Sequence, residues 1–443
     1  MIVLRTVGVM IFPSMMLVGC LYDHDFWDHG HGGGGSHHPE PCPDECDLTT
    51  HFVGAGGACV RKAEQISVGS LYTCAILAGG GLKCWGDNGW RKLGLGDTAG
   101  RGDAPGEMGS ALPFVDVGTG RTVTDVAADT DLTCALLDDA SVKCWGYNGY
   151  GAVNGIPNSW TGEMGDALPT APVPAGSTIV DVGAGSGTGY ALRADGSLYR
   201  WSPAPLLTTF AAGSGVVTFA RGSSYDDVHW CGLRATGEVV CFGFGSAGQL
   251  GWAPQAMPPV GGYPPVELGT GRSATAIALG RAHSCALLDD GSVKCWGLNN
   301  HGQLGLGDTA SRGLASAGMG DALPAVPLGQ GAQAIAAGGY HTCALLDDGS
   351  VKCWGQNDAG QLGQGDTADR GDAPGEVAAL APIALGEPAV AVAAGLHSCA
   401  ILASGGIKCW GPNAQGQLGQ GDTETRGDAP GEVAATLAID LSD

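Results

Sequence analysis

Twelve of the sixteen cysteines form six pairs, each pair ten positions apart and followed at once by an aromatic residue. The pairs are Cys74 with Cys84, Cys134 with Cys144, Cys231 with Cys241, Cys285 with Cys295, Cys343 with Cys353 and Cys399 with Cys409. Thiols in this arrangement can hold a metal or bond to one another. A seventh copy of the segment, Tyr190 to Arg200, lacks both cysteines together. A metal site can lose one ligand at a time, whereas half a disulfide is useless. Joint loss therefore points to a disulfide within each pair, and disulfides point to an oxidising compartment. Cys42, Cys46 and Cys59 are left over besides Cys20. With His51 they could form a zinc site; the preferred reading is one disulfide among them, of undetermined connectivity, and one thiol free or paired elsewhere.

Other residues also invite chemistry. The phrase Gly-Asp-Thr-x-x-Arg-Gly-Asp-x-Pro-Gly-Glu recurs at Asp97 to Glu107, Asp366 to Glu376 and Asp422 to Glu432, with a partial copy at Asp308, Thr309 and Arg312. Its carboxylates could bind calcium, but calcium wants six to eight oxygens and an arginine among them opposes it. The arginine is read instead as pairing with its neighbours and pinning a long loop, and the Arg-Gly-Asp tripeptide as incidental. His229, His283, His341 and His397, each two residues before a first cysteine, could ring a metal. The Asp-Asp-Gly-Ser turn has the wrong spacing to tryptophan for the Asp-box of sialidases. No convincing catalytic set emerges, so no catalytic residue, cofactor or metal is assigned.

The first cysteines (or Tyr190) fall at 74, 134, 190, 231, 285, 343 and 399, a spacing that marks repeated units. Short apolar and β-branched runs between Gly, Asp and Asn are strand-and-turn chemistry. Each unit is expected to hold four strands. In the sixth unit the first three are 334–337, 341–346 and 350–355, while 325–328 closes the preceding unit. If Cys343 faces Cys353, the loop is Asp347-Asp348-Gly349, a three-residue hairpin that wants positive φ at its last residue. Gly80, Gly196, Gly237, Gly291 and Gly405 take the same place, and Ala140 is the exception. This register puts the cysteines at a non-hydrogen-bonded pair, with Cα atoms about 4.5 Å apart, within disulfide reach. The next residue (Trp85, Trp145, Trp201, Phe242, Trp296, Trp354 or Trp410) points to the other face and is expected to pack between neighbouring sheets.

Seven such units predict an all-β, seven-bladed β-propeller of four-stranded blades stapled by intra-blade disulfides. Each staple should add about 2–3 kcal/mol. Segments such as Gly338-Gly339-Tyr340-His341-Thr342-Cys343 and Cys353-Trp354-Gly355-Gln356-Asn357-Asp358-Ala359-Gly360-Gln361-Leu362-Gly363-Gln364-Gly365-Asp366 resemble repeats of the regulator of chromosome condensation family. The resemblance runs over residues 60–443 and implies the same seven-bladed architecture. It also implies a structural hydrogen bond for each of the four histidines. The third and fourth units depart most: the third lacks the cysteines and the Asn/Gly/Gln turn, and the fourth has Phe242 for tryptophan.

At the front, Arg5, the apolar stretch Val7 to Phe12, and Leu17-Val18-Gly19-Cys20 read as a lipoprotein export signal, with Cys20 acylated. Pro13 breaks the run, which is too short to span a bilayer. The expected domains are a signal peptide at 1–19, a His/Gly-rich tether with cysteines at 20–52 and the propeller at 53–443. His24, His29, His31, His37 and His38 could scavenge a metal; a flexible tether is preferred. Leu21 after the cysteine resembles an outer-membrane sorting pattern, so an envelope lipoprotein is expected. A net charge of −23 argues against nucleic acid, which needs a basic patch.

What remains is a non-enzymatic protein-interaction module, tied to the membrane only by its lipid. Loops concentrate function. The most asymmetric ones, in units one to four, carry the candidate partner-binding aromatics Trp90, Tyr147, Tyr150, Trp160, Tyr225, Trp230, Trp252 and Tyr263. Internal packing of these rings is an equal reading. Alternatives are a glycan-binding or glycan-processing propeller, or an adhesin or envelope spacer.

Overall fold

The computed structural model describes residues 47–442 apart from 55–58, 149–163, 175, 186, 203, 211–212, 223–227 and 253–262. A two-stranded antiparallel ladder, His51–Val53 with Cys59–Arg61, is followed along the chain by seven larger antiparallel sheets among the described residues. The first comprises an inner strand Ala63–Val68, a middle strand Tyr72–Leu77 and an outer strand Gly81–Gly86. The second comprises Val123–Ala128, Leu132–Leu137 and Val142–Gly146. Ile179–Gly185, Thr188–Arg193, Leu198–Ser202 and Ala204–Phe210 make the third. The fourth is Val216–Arg221, His229–Arg234 and Val239–Gly243. The fifth is Ala274–Leu279, His283–Leu288 and Val293–Gly297. Ala332–Ala337, His341–Leu346 and Val351–Gly355 form the sixth, and Ala389–Ala394, Ser398–Leu402 and Ile407–Trp410 the seventh. Each sheet packs on the next, and the seventh packs on the inner strand of the first.

The expectation of four strands per unit holds only for the third sheet. In the other six the fourth segment keeps a single ladder bond to the outer strand. In the fifth unit Val326 N–H donates to Val293 O at 2.8 Å, and Leu328 N–H then turns back onto Val326 O at 2.9 Å. Pro327 between them has no N–H to extend a ladder. Pro172, Pro265 and Pro382 sit next to the corresponding residues, Ala171, Val266 and Ile383, whose N–H groups make the equivalent bonds.

The hairpins follow the expected register. Cys343 faces Cys353, and Leu346 N–H donates to Ser350 O at 2.8 Å. Gly349 has φ +79°, and Ala140 adopts the same left-handed conformation at +63°. Six disulfides join middle to outer strands. Cys74 is bonded to Cys84, Cys134 to Cys144 and Cys231 to Cys241. Cys285 is bonded to Cys295, Cys343 to Cys353 and Cys399 to Cys409. Their Cα separations are 4.0–4.1 Å, a little tighter than the expected spacing. Cys59 is disulfide-bonded too; Cys42 and Cys46 lie outside the described residues.

Hydrophobic clusters lie between sheets, with Trp85, Trp296, Trp354 and Trp410 fully buried in them. Each indole N–H finds a carbonyl of the preceding unit: Trp354 donates to Gln303 O at 3.0 Å and Trp410 to Gln361 O at 3.0 Å. The tryptophans are inter-sheet packing, with their one polar atom satisfied.

Candidate functional site: the axial mouth and its face

The four histidines are latches between sheets. His229 Nε2 lies 2.9 Å from Ser284 Oγ, His283 3.0 Å from Thr342, His341 2.8 Å from Ser398 and His397 2.7 Å from Thr73. Each hydroxyl donates onward to a carbonyl of the histidine's own unit, as Ser284 does to Gln249 O at 2.9 Å. The hydroxyl must then accept from the ring, so Nε2 carries the proton. Burial pushes His229, His283 and His397 down to about 3 and His341 to about 4. The rings are neutral, and no metal-ligating group of three or more side chains occurs among the described residues. Tyr72 fills the histidine position in the first sheet, with its hydroxyl 2.9 Å from Thr133.

The latch therefore operates at five of the seven junctions. At the other two, around the third sheet, its positions hold Leu132 against Gly189 and Thr188 against Trp230. A different device spans both. Asp129 of the second unit pairs with Arg221 of the fourth, and both are more than nine-tenths buried. Asp129 stands where other inner strands end in glycine, and Arg221 where they carry Val, Ala or Leu. The guanidinium crosses the third sheet above Gly185, whose missing Cβ would lie 2.7 Å from it. Glycine here makes room for the bridge.

The inner strands surround an axis. At its mouth is a cavity of about 200 Å³ to which every sheet contributes: Ser70, Asp129, Gly183, Arg221, Arg281, Tyr340 and Leu396. Beneath it one half is polar. Gln65 donates to Asp125 at 2.8 Å and Thr218 to Asp181 at 2.7 Å, while sheets five to seven place Ala276, Ala334 and Ala391 at this level. No tryptophan lines the cavity among the described residues. The disulfides stand apart from it. Cys84, Cys144, Cys295 and Cys409 on the outer strands, like their middle-strand partners, are buried in the clusters between sheets, so the staples are structural.

The loops that follow the outer strands share this face. In later units the turn places glycine at positive φ, because the next unit's Arg-Gly-Asp loop packs on it: a Cβ at Gly360 would collide with Asp428 N. In the first unit Trp90 and Arg91 occupy the corresponding Ala359 and Gly360 places, yet adopt φ +64° and +60°. Left-handed backbone costs a side-chain-bearing residue about 1–2 kcal/mol. Trp90 is 55 % exposed and meets Tyr147 edge-on at 5.1 Å. Buried Lys92 holds the turn, 2.6 Å from Asp87 and donating to Thr130 O at 3.1 Å. Partial burial raises Asp87, but the bonds from Lys92 and Gly89 N–H outweigh it and hold the carboxyl below its usual range.

The other candidate aromatics divide. Trp230 stacks on Phe242 at 5.3 Å and Tyr263 leans on Phe242 at 5.1 Å, in a cluster with Tyr190 between the third and fourth sheets. Trp252 is half-buried and donates to Cys241 O at 3.2 Å. These three pack inward, unlike Trp90. Tyr150, Trp160, Tyr225 and Cys20 lie outside the described residues. The carboxylate loops are self-contained: Arg370 pairs with Asp366 at 2.5 Å, and Glu376 accepts from Gly371 N–H at 2.8 Å and Ala373 N–H at 3.1 Å. Sequence reasoning missed Asp129, Arg221, Arg281 and Tyr340. The signal was present, as two charges at inner-strand positions otherwise held by glycine and aliphatics.

The regulator of chromosome condensation (RCC1) repeat profile matches residues 290–345 and 348–402, and a second profile of that repeat matches 63–89, 274–303 and 332–361. The ultraviolet-B receptor UVR8 of Arabidopsis thaliana is 32% identical over half of this chain and 47% of its own length. Human HERC3, a probable E3 ubiquitin-protein ligase, is 40% identical over 32% of this chain and 13% of its own. The chain thus spans less than half the length of these curated relatives. Among solved structures, Prp20p of Saccharomyces cerevisiae superposes with a TM-score of 0.57 at 18% identity, covering 77% of this chain and 81% of that one. Human WBSCR16 gives 0.56 at 17% identity, covering 74% and 83%. The chain thus carries regulator of chromosome condensation repeats at residues 63–89 and 274–402, with a fold to match.

Proposed function

We propose that this chain is an exported, lipid-anchored seven-bladed propeller, one blade per sheet, that recognises another protein through the axial face. In this reading residues 1–19 are the export signal, Cys20 carries the lipid in the cell envelope, 20–52 are the tether and 53–443 the propeller. Six disulfides suit an oxidising compartment. The observation that carries the binding role is Trp90, an exposed indole on left-handed backbone where an unstrained turn was available. Strain of this kind concentrates at functional sites, and tryptophan dominates interface hot spots. Phe244, Leu314 and Leu396, each at least 41 % exposed, lie on the same face. Prp20p, of the same fold, has binding properties toward Gsp1p and histones; a net charge of −23 makes a nucleic-acid partner unsuitable here. An affinity pull-down from cell envelopes should recover a partner that Trp90→Ala loses and Val390→Ala, at the far end of the axis, retains. Equal recovery with both variants, or no partner at all, contradicts the proposal.

A further inference from the structure

We propose that the mouth of the axial cavity binds a carboxylate carrying a short, branched apolar body. The head-group site is Arg281. It is exposed at the rim, and among the described residues no carboxylate pairs with it. That is unusual in a chain of net charge −23, whose loop arginines Arg101, Arg312, Arg370 and Arg426 are all spent on aspartates. The acids of the cavity are engaged elsewhere, Asp129 with Arg221 and Asp181 with Thr218.

Arg281 is also held in place. Its backbone N–H donates to Gly339 O at 3.0 Å, and its guanidinium lies 5.6 Å from the Tyr340 ring centroid. Tyr340 is backed by His301 at 5.5 Å, and His301 Nδ1 is fixed by Asp369 at 2.8 Å. A guanidinium pinned over an aromatic face presents its N–H fork ready-made for a carboxylate.

Leu396 at the rim and, below it, Ala337, Ala394 and Val68 give the cavity an apolar wall. Its volume of about 200 Å³ takes on the order of ten waters or more, so a leucine-sized body fits. The same chemistry can come from a free small organic acid or from the C-terminal residue of a polypeptide.

Titration calorimetry on the full chain tests this with N-acetyl-leucine, N-acetyl-leucinamide and a tetrapeptide ending in leucine. The acid is expected to bind, the amide at least tenfold more weakly, and Arg281→Gln or Leu396→Glu should each weaken the acid at least tenfold. Both substitutions are at exposed positions. A tetrapeptide that binds at least tenfold more tightly than the acid assigns the site to polypeptide C-termini; equal or weaker binding assigns it to free acids. Acid and amide binding alike, no effect of Arg281→Gln, or no binding of any ligand overturns the proposal. Trp90→Ala should leave these affinities unchanged, so failure here is distinguishable from failure of the protein-partner reading.

Discussion

A histidine kept neutral by burial ties stability to pH in a definite direction. The folded values, about 3 to 4, lie below the ordinary 6.5, so the unfolded chain binds protons first. Stability from the latches is complete above pH 6.5 and drains away as pH falls toward 4, by up to about 1.4 kcal/mol per pH unit for each ring. Urea midpoints between pH 7 and 4.5 should fall steeply, and His341→Gln should flatten the slope by about one ring's share; an unchanged slope would show that the rings are not the cause. The Asp129–Arg221 bridge makes a second prediction. Arg221→Leu leaves a buried carboxylate uncompensated and should cost about 3–5 kcal/mol. Adding Asp129→Gly, the residue all six other units use at this place, should recover most of that loss in chemical denaturation. An additive double variant would argue against the pairing.

At the scale of the hairpin, much was legible because the rules are local. The ten-residue cysteine spacing, the loop Asp347-Asp348-Gly349 and the exception at Ala140 each follow from register and φ alone. Ala140→Gly should therefore stabilise the second sheet by about 0.5–1 kcal/mol, read as a rise in thermal midpoint. Replacing Cys343 and Cys353 together by alanine should cost about 2–3 kcal/mol under non-reducing conditions and nothing once the parent is reduced. The fourth strand was misread because apolar runs such as Ala325 to Leu328 look like strand, whereas each keeps one ladder bond, beside a proline in the second, fourth, fifth and sixth units and without one at Ile439 in the seventh. The latches were visible only as four aligned histidines. Their partners lie about 55 to 60 residues away in the next unit, or 324 for His397 and Thr73, where the chain comes round to its start.

The whole molecule is uneven around its axis, and that unevenness was the least legible feature. Sheets five to seven are near-copies with alanines inside, latches at every junction and well-packed turns. The first four carry the Asp129–Arg221 bridge, the aromatic cluster and the strained turn. Which of their aromatics face outward depends on packing between units: Trp230 and Tyr263 close a seam that lacks a latch, whereas Trp90 is exposed and meets only the edge of Tyr147 among the described aromatic rings. The axial face is accordingly the one on which a partner should sit. Site-specific photo-crosslinking in the native cell tests this most directly, with a photoreactive phenylalanine analogue at position 90 or at position 390, both exposed but at opposite ends of the axis. A discrete protein adduct from position 90 and none from 390 is the predicted result; an adduct from 390 alone would contradict it.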